Sequence, residues 1–120
     1  MDDTDQRLLR PGQKNAPTIE IICSSAELDP IARAVGYGIE EEGLPYLITI
    51  RETGPAELYE LAHKGGLGVV IGVDRRGIAV YTRQFKEKKP LFQTTKTELE
   101  TAKTIGKNAA RIIKNKPFIE

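Results

Sequence analysis

The stretch LGVVIGVDRRGIAVYTRQF, residues 67–85, decides the fold. Its opening run, residues 67–73, is apolar on both alternating faces, the pattern of a central strand in a covered sheet. Asp74, Arg75, Arg76 and Gly77 follow as a turn. IAVYTRQF, residues 78–85, is a further strand, and so short a connection makes it antiparallel to the one before.

Upstream lie two strand–helix units. TIEIICSS (18–25) is β-branched and apolar and reads as a buried strand. Asp29 then fits an N-cap and Pro30 the first helical position. Ile31, Val35 and Ile39 recur at helical spacing, Gly43 is a natural stop, and Pro45 forbids continuation, so this helix ends near Glu42. PYLITIRE (45–52) is the next strand, with Tyr46, Ile48 and Ile50 on one face. PAELYELAHKG (55–65) is a short helix that stops at Gly65 or Gly66.

Downstream, KEKKP (86–90) is a charged loop and PLFQT (90–94) a short fifth strand. Thr95, Lys96, Thr97 and Glu98 match a capping box that opens a last helix. That helix runs to about Lys116, with Leu99, Ala102, Gly106, Ala109 and Ile113 along one face, and Pro117 ends it. The order is β-α-β-α-β-β-β-α. Two right-handed crossovers make most of the sheet parallel. The expected fold is α/β, a three-layer sandwich with a mixed, mostly parallel sheet of about five strands, one of them antiparallel. Residues 1–17, with Pro11, Gly12, Asn15, Pro17 and one apolar pair, Leu8–Leu9, read as a flexible arm, and 18–120 as a single domain.

Composition narrows the function. A net charge of +1 argues against broad electrostatic binding to nucleic acid or anionic membrane. The single cysteine, Cys23, cannot form an internal disulfide, and no signal peptide or membrane-spanning run is seen, so a cytoplasmic protein is expected. Cys23 is mid-strand and reads as a core residue; His63, the only histidine, reads as an exposed helix end. The glycines of KGGLG (64–68) precede a strand, whereas a phosphate cradle places them after one. No catalytic residue and no bound cofactor is expected on this chain, and no intrinsic ATPase activity.

One stretch resists a bland reading. Glu40, Glu41 and Glu42 occupy the last turn of the first helix, at the negative pole of its macrodipole, where each exposed carboxylate costs on the order of 0.3–1 kcal/mol. Glu42 lies near the phase of Val35 and Ile39, at the core edge, while Glu40 and Glu41 point outward. The triplet is either a tolerated surface turn or a site that faces a cation or a basic partner. One outward carboxylate can supply a ligand to Mg²⁺ but cannot build the site alone. The last helix, by contrast, carries Arg111, Lys114 and Lys116 near its C-terminus, as the dipole favours.

GIEEEGLPY (38–46), LGVVIGVDRRGIAVYTRQF (67–85), PLF (90–92) and IGKNAARIIKNKPF (105–118) resemble, in the same order, one family. It comprises the small subunits of the diol and glycerol dehydratase reactivating factors and the related medium subunits of adenosylcobalamin-dependent dehydratases, which share a fold like that of anticodon-binding domains. Length favours the reactivase branch, because the dehydratase medium subunit carries further segments on both sides. The resemblance implies a non-catalytic subunit of a chaperone-like reactivase. Its large partner subunit, an ATPase, would bind ATP or ADP. Exchange with the medium subunit on the dehydratase large subunit would release damaged cobalamin, so cobalamin concerns this chain only indirectly. By position, Glu41 would contact a Mg²⁺ shared with the large subunit, and Glu40, Glu41 and Glu42 would lie at that interface. Association with a protein-shelled microcompartment is a further expectation. The alternatives are a medium subunit of the dehydratase itself and a stand-alone α/β ligand binder.

Overall fold

A computed structural model describes residues 17–119. The arm read over residues 1–17, with its Leu8–Leu9 pair, therefore lies outside the described residues except for Pro17. Strand β1 is Ile19–Cys23, followed by a short 3₁₀ turn at Ala26–Leu28 and helix α1 at Asp29–Glu41. Then come β2 (Tyr46–Ile50), α2 (Pro55–Lys64), β3 (Val69–Asp74), β4 (Gly77–Thr82), β5 (Phe92–Thr94) and α3 (Leu99–Lys114). The sheet order is β2-β1-β3-β4-β5. β1 pairs in parallel with β2 and β3, and β4 runs antiparallel to both β3 and β5, so β4 alone is reversed.

The register explains both faces. Ile48, Ile21, Ile71, Val80 and Phe92 stand in one row across all five strands. They pack with Val35 and Ile39 of α1 and Ala102 and Ala109 of α3. Burying each aliphatic side chain of this kind contributes roughly 1.5–3 kcal/mol. The adjacent row faces the other way and reads Thr49, Ile22, Gly72, Ala79, Gln93. Helix α2 covers part of it, with Leu58 and Ala62 against Ile22, Val70 and Tyr81. The result is three layers, with α1 and α3 on one side of the sheet and α2 on the other. The central, two-sided burial of β3 follows its sequence pattern.

The hairpin turn is tightly specified. Asp74 Oδ1 accepts a hydrogen bond from the Arg76 amide at 2.8 Å. Gly77 has φ 137°, and a Cβ there would stand 1.9 Å from the Thr94 carbonyl oxygen, so only glycine lets β5 approach. At the end of α1, Gly43 takes φ 86°, as the stop signal predicted.

Several local expectations are corrected. Asp29 is not an N-cap. The 3₁₀ turn runs directly into α1, so Asp29 is already helical at φ −54° and ψ −40°, and its carboxylate pairs with Arg33 instead. A cap residue needs a non-helical backbone, which Asp29 lacks. The capping box does not form either. Glu98 holds the cap position without a side-chain bond, and α3 begins at Leu99. Thr94 ends β5 and accepts from the Lys96 amide, which keeps the following residues in a turn. Leu99 consequently sits at the helix mouth, 57% exposed, rather than on the core face. Ile50 ends an edge strand and is likewise exposed. α3 stops at Lys114, because Asn115 adopts the left-handed conformation at φ 58° and its amide and that of Lys116 close the last carbonyls.

Candidate docking site at the paired helix ends

Small residues create the site. A Cβ on Gly38 would stand 2.0 Å from the Lys103 carbonyl oxygen, and one on Gly106 would stand 1.9 Å from that of Val35. The backbones of α1 and α3 therefore touch. Val35 meets Gly106, and Glu42 meets Arg111 and Lys114, so the two helices run in the same direction and end together. The GIEEEG and GKNAAR segments are the two sides of this one contact.

Close packing places a row of α3 cations against the glutamates. Lys103, Lys107 and Arg111 recur at four-residue steps on one face. The Glu41 carboxylate takes Lys103 Nζ at 2.6 Å on one oxygen and Lys107 Nζ at 3.1 Å on the other, and remains 45% exposed. The hydrogen bond from Lys103, then that from Lys107, holds the Glu41 carboxyl below the usual glutamate range, and Glu41 in turn raises Lys103. Glu42 is different. Its side chain is 9% exposed, and Oε2 accepts from Arg111 Nε at 3.0 Å and Nη2 at 2.9 Å. Lys114 donates to the Glu42 backbone carbonyl at 2.6 Å, capping the negative end of α1. Glu40 is exposed. The dipole penalty is thus offset inside the chain, by cations far along the sequence. Their four-residue spacing was the available signal; that they face α1 was not visible locally.

Glu41 offers the oxygen donor that Mg²⁺ prefers, but both oxygens carry ammonium groups. Among the described residues no group of three His, Cys, Asp or Glu side chains is placed to hold a metal. Glu41 alone therefore does not build a Mg²⁺ site on this chain.

The remaining candidates have structural places. Cys23 is fully buried, donates to the Ser25 carbonyl at 3.1 Å, and burial pushes its thiol up. His63 is exposed on the last turn of α2, its ring 4.3 Å from Tyr59. Arg75 pairs with Glu27, and Arg76 with Asp74, all at the surface. On the α2 side, the small Gly72–Ala79 pair leaves a hollow of about 660 Å³, bordered by Leu58, Tyr81, Arg76 and Lys88. Thr53 Oγ1 is buried in its wall and has no partner among the described residues.

The fold is thus a mixed-sheet α/β domain whose charge gathers at two paired helix ends. The family model for the dehydratase medium subunit matches residues 16–119. The diol dehydratase-reactivating factor small subunit of Klebsiella michiganensis is 32% identical over 110 residues, covering 89% of this chain and 87% of that one. The propanediol dehydratase-reactivating factor small subunit of Citrobacter freundii is 31% identical, covering 83% and 89%. A diol dehydratase-reactivating factor solved with ADP and Mg²⁺ superposes with a TM-score of 0.76 at 30% identity, over 88% of this chain and all of that one. A glycerol dehydratase reactivase shares the fold at a TM-score of 0.74. The chain belongs to the dehydratase medium-subunit family, and within it to the small subunits of the diol dehydratase-reactivating factors.

Proposed function

We propose that this chain is the non-catalytic partner of a large ATPase subunit in a reactivase. It docks through the C-terminal end of α1. By changing places with the related medium subunit on the dehydratase large subunit, it lets damaged cobalamin leave and intact coenzyme enter. Nucleotide and Mg²⁺ belong to the large subunit, and Glu41 lends the ion one oxygen across the interface, with Glu40 beside it. Glu42, held against Arg111, fixes the helix end from within rather than touching the partner directly. The cytoplasm, with or without a microcompartment shell, is the proposed location; no helix among the described residues is long and apolar enough to cross a membrane.

The observation that carries this reading is the half-exposed Glu41 at a rigid helix end, within a chain alike along nearly its whole described length to reactivating-factor small subunits. A pull-down with the full chain, Mg²⁺ and ADP tests it, comparing wild type with Glu41→Ala. Recovery of a large ATPase subunit, weakened by the substitution, is expected. Recovery of dehydratase subunits with cobalamin and no ATPase subunit would identify a dehydratase medium subunit instead. Equal recovery with both chains would remove the role given to Glu41.

A further inference from the structure

The α2 side of the sheet is only partly covered. Helix α2 packs Leu58 and Ala62 against Ile22, Val70 and Tyr81, and the outer part of the row, Ala79 and Gln93, has no helix over it. The hollow of about 660 Å³ opens there. That size falls within the roughly 300–1,000 Å³ of small-molecule sites. Gly72 shapes its floor: Leu58 Cδ1 stands 2.7 Å from where a Cβ would be, so Leu58 lies down against bare backbone.

Place, unsatisfied polarity and charge point the same way. Thr53 follows β2 and Asp74 ends β3, so the hollow lies at the carboxyl ends of the parallel strands. The crossover from β1 to β2 carries α1 on one face, and that from β2 to β3 carries α2 on the other. Open α/β sheets take ligands at the carboxyl ends beside such a reversal. Ser25 Oγ, Asp29 Oδ1 and Thr53 Oγ1, all at this end, are buried with no hydrogen-bond partner among the described residues, and Thr53 lines the hollow itself. Buried hydroxyls without a partner are rare in folded chains. Arg76, Lys88 and Lys89 border the hollow against one carboxylate, Asp74. Asp74 holds Arg76 at 3.1 Å and Glu87 holds Lys89 at 3.2 Å, whereas Lys88 makes no ion pair among the described residues.

We propose that this hollow binds a small molecule with a flat apolar body and one anionic group, a carboxylate or a phosphate. A floor of bare backbone and the Ala79 methyl suits a flat body, with Leu58 beside it. Lys88 takes the anion, and Arg76 and Lys89 add to the positive field. An extended peptide fits less well, because the hollow lies on a sheet face, where the strands have already paired their backbone groups.

The test titrates the isotope-labelled full chain, by NMR, with naphthyl phosphate, naphthoate and neutral naphthol, which share one apolar body. Both anions are expected to shift the amides of Ala79, Gln93 and Thr94. They should bind roughly five- to tenfold more tightly than naphthol, the scale of one unit-charge contact in water. The tighter of the two anions tells phosphate from carboxylate. Lys88→Gln, a surface change, should remove most of the preference for the anions, and Ala79→Leu, which fills the floor, should abolish binding of all the probes. Equal binding of naphthol and the anions, or a preference that survives Lys88→Gln, would overturn the anion chemistry. Shifts confined to other surfaces, binding untouched by Ala79→Leu, or no binding of any probe would overturn the hollow as a ligand site.

Discussion

Arg111 donates from Nε to Glu42 Oε2 at 3.0 Å, and so ties the end of α3 to the end of α1. The carboxylate is nearly out of solvent while Arg111 is 23% exposed, so the bond is sheltered. Glu42→Ala leaves that guanidinium without its carboxylate and is expected to cost about 2 kcal/mol, the scale of a lost hydrogen bond to a charged group. Glu41→Ala, at a half-exposed site, should leave the melting temperature close to wild type. Denaturant unfolding of the two variants side by side checks this. Equal losses would mean that the inner and outer glutamates do not differ as described.

Gly38 and Gly106 are predicted to be intolerant of a single methyl. In each case the added carbon would meet backbone of the facing helix, at 2.0 Å and 1.9 Å. Gly38→Ala and Gly106→Ala should each destabilise by about 1–3 kcal/mol, as overpacked contacts do. Either one pushes the helices apart, so the double variant should cost less than the sum. A double-mutant cycle by urea unfolding reads the coupling; strict additivity would show that the two glycines serve separate contacts.

The Glu41–Lys103 pair has a defined pH window. Glu41 is lowered from its ordinary 4.5, so its contribution is present above that value and is lost as pH falls through the depressed value. Lys103 is raised from its ordinary 10.5, so its contribution is present below that value and is lost as pH rises through the elevated value. Carbon-detected NMR titration of the Glu41 carboxyl should give a midpoint below 4.5, and Lys103→Ala should move it back upward. No upward movement would separate the two groups.

Asn108 is expected to anchor the C-terminal segment. Its side chain donates to the Ile119 carbonyl at 3.0 Å and accepts from the Ile119 amide at 2.7 Å. Arg111 holds the Pro117 carbonyl as well. Asn108→Ala should cost about 2 kcal/mol for two buried hydrogen bonds and speed proteolysis beyond Asn115. Unchanged cleavage there would show that Phe118, packed edge-on to Phe92 at 5.6 Å, anchors the segment without Asn108.

Much of this architecture is legible in single residues. The turn at Asp74–Gly77 dictated the reversed strand, and the apolar run through Val69–Val73 dictated its central place. The two caps that do not form share a cause: residue type and sequence position mark a short hydrogen-bonding side chain as a helix start, while the neighbouring backbone decides its use. Asp29 was preceded by a 3₁₀ turn, and the Thr94 hydroxyl closed a turn that kept Thr95 out of a helix cap. The glutamate triplet was recognisable as anomalous, but its partners were not. Lys103, Lys107 and Arg111 come near it only after the sheet has brought α1 and α3 together, and no local rule reports that.

That pairing has a consequence for synthesis. Helix α1 is made early and covers the β1–β2 end of the row from Ile48 to Phe92, yet the rest of that row and the small-residue face of α1 stay bare until Lys114 has left the ribosome. The α2 side, by contrast, has all its strands and its helix by Thr94. Contacts of such long sequence separation form late and slowly. A chain cut short before α3 would therefore keep a wet, sticky sheet face, and aggregation rather than a smaller working domain is its expected fate. Completion of the last helix marks the moment when a newborn subunit can join an assembly.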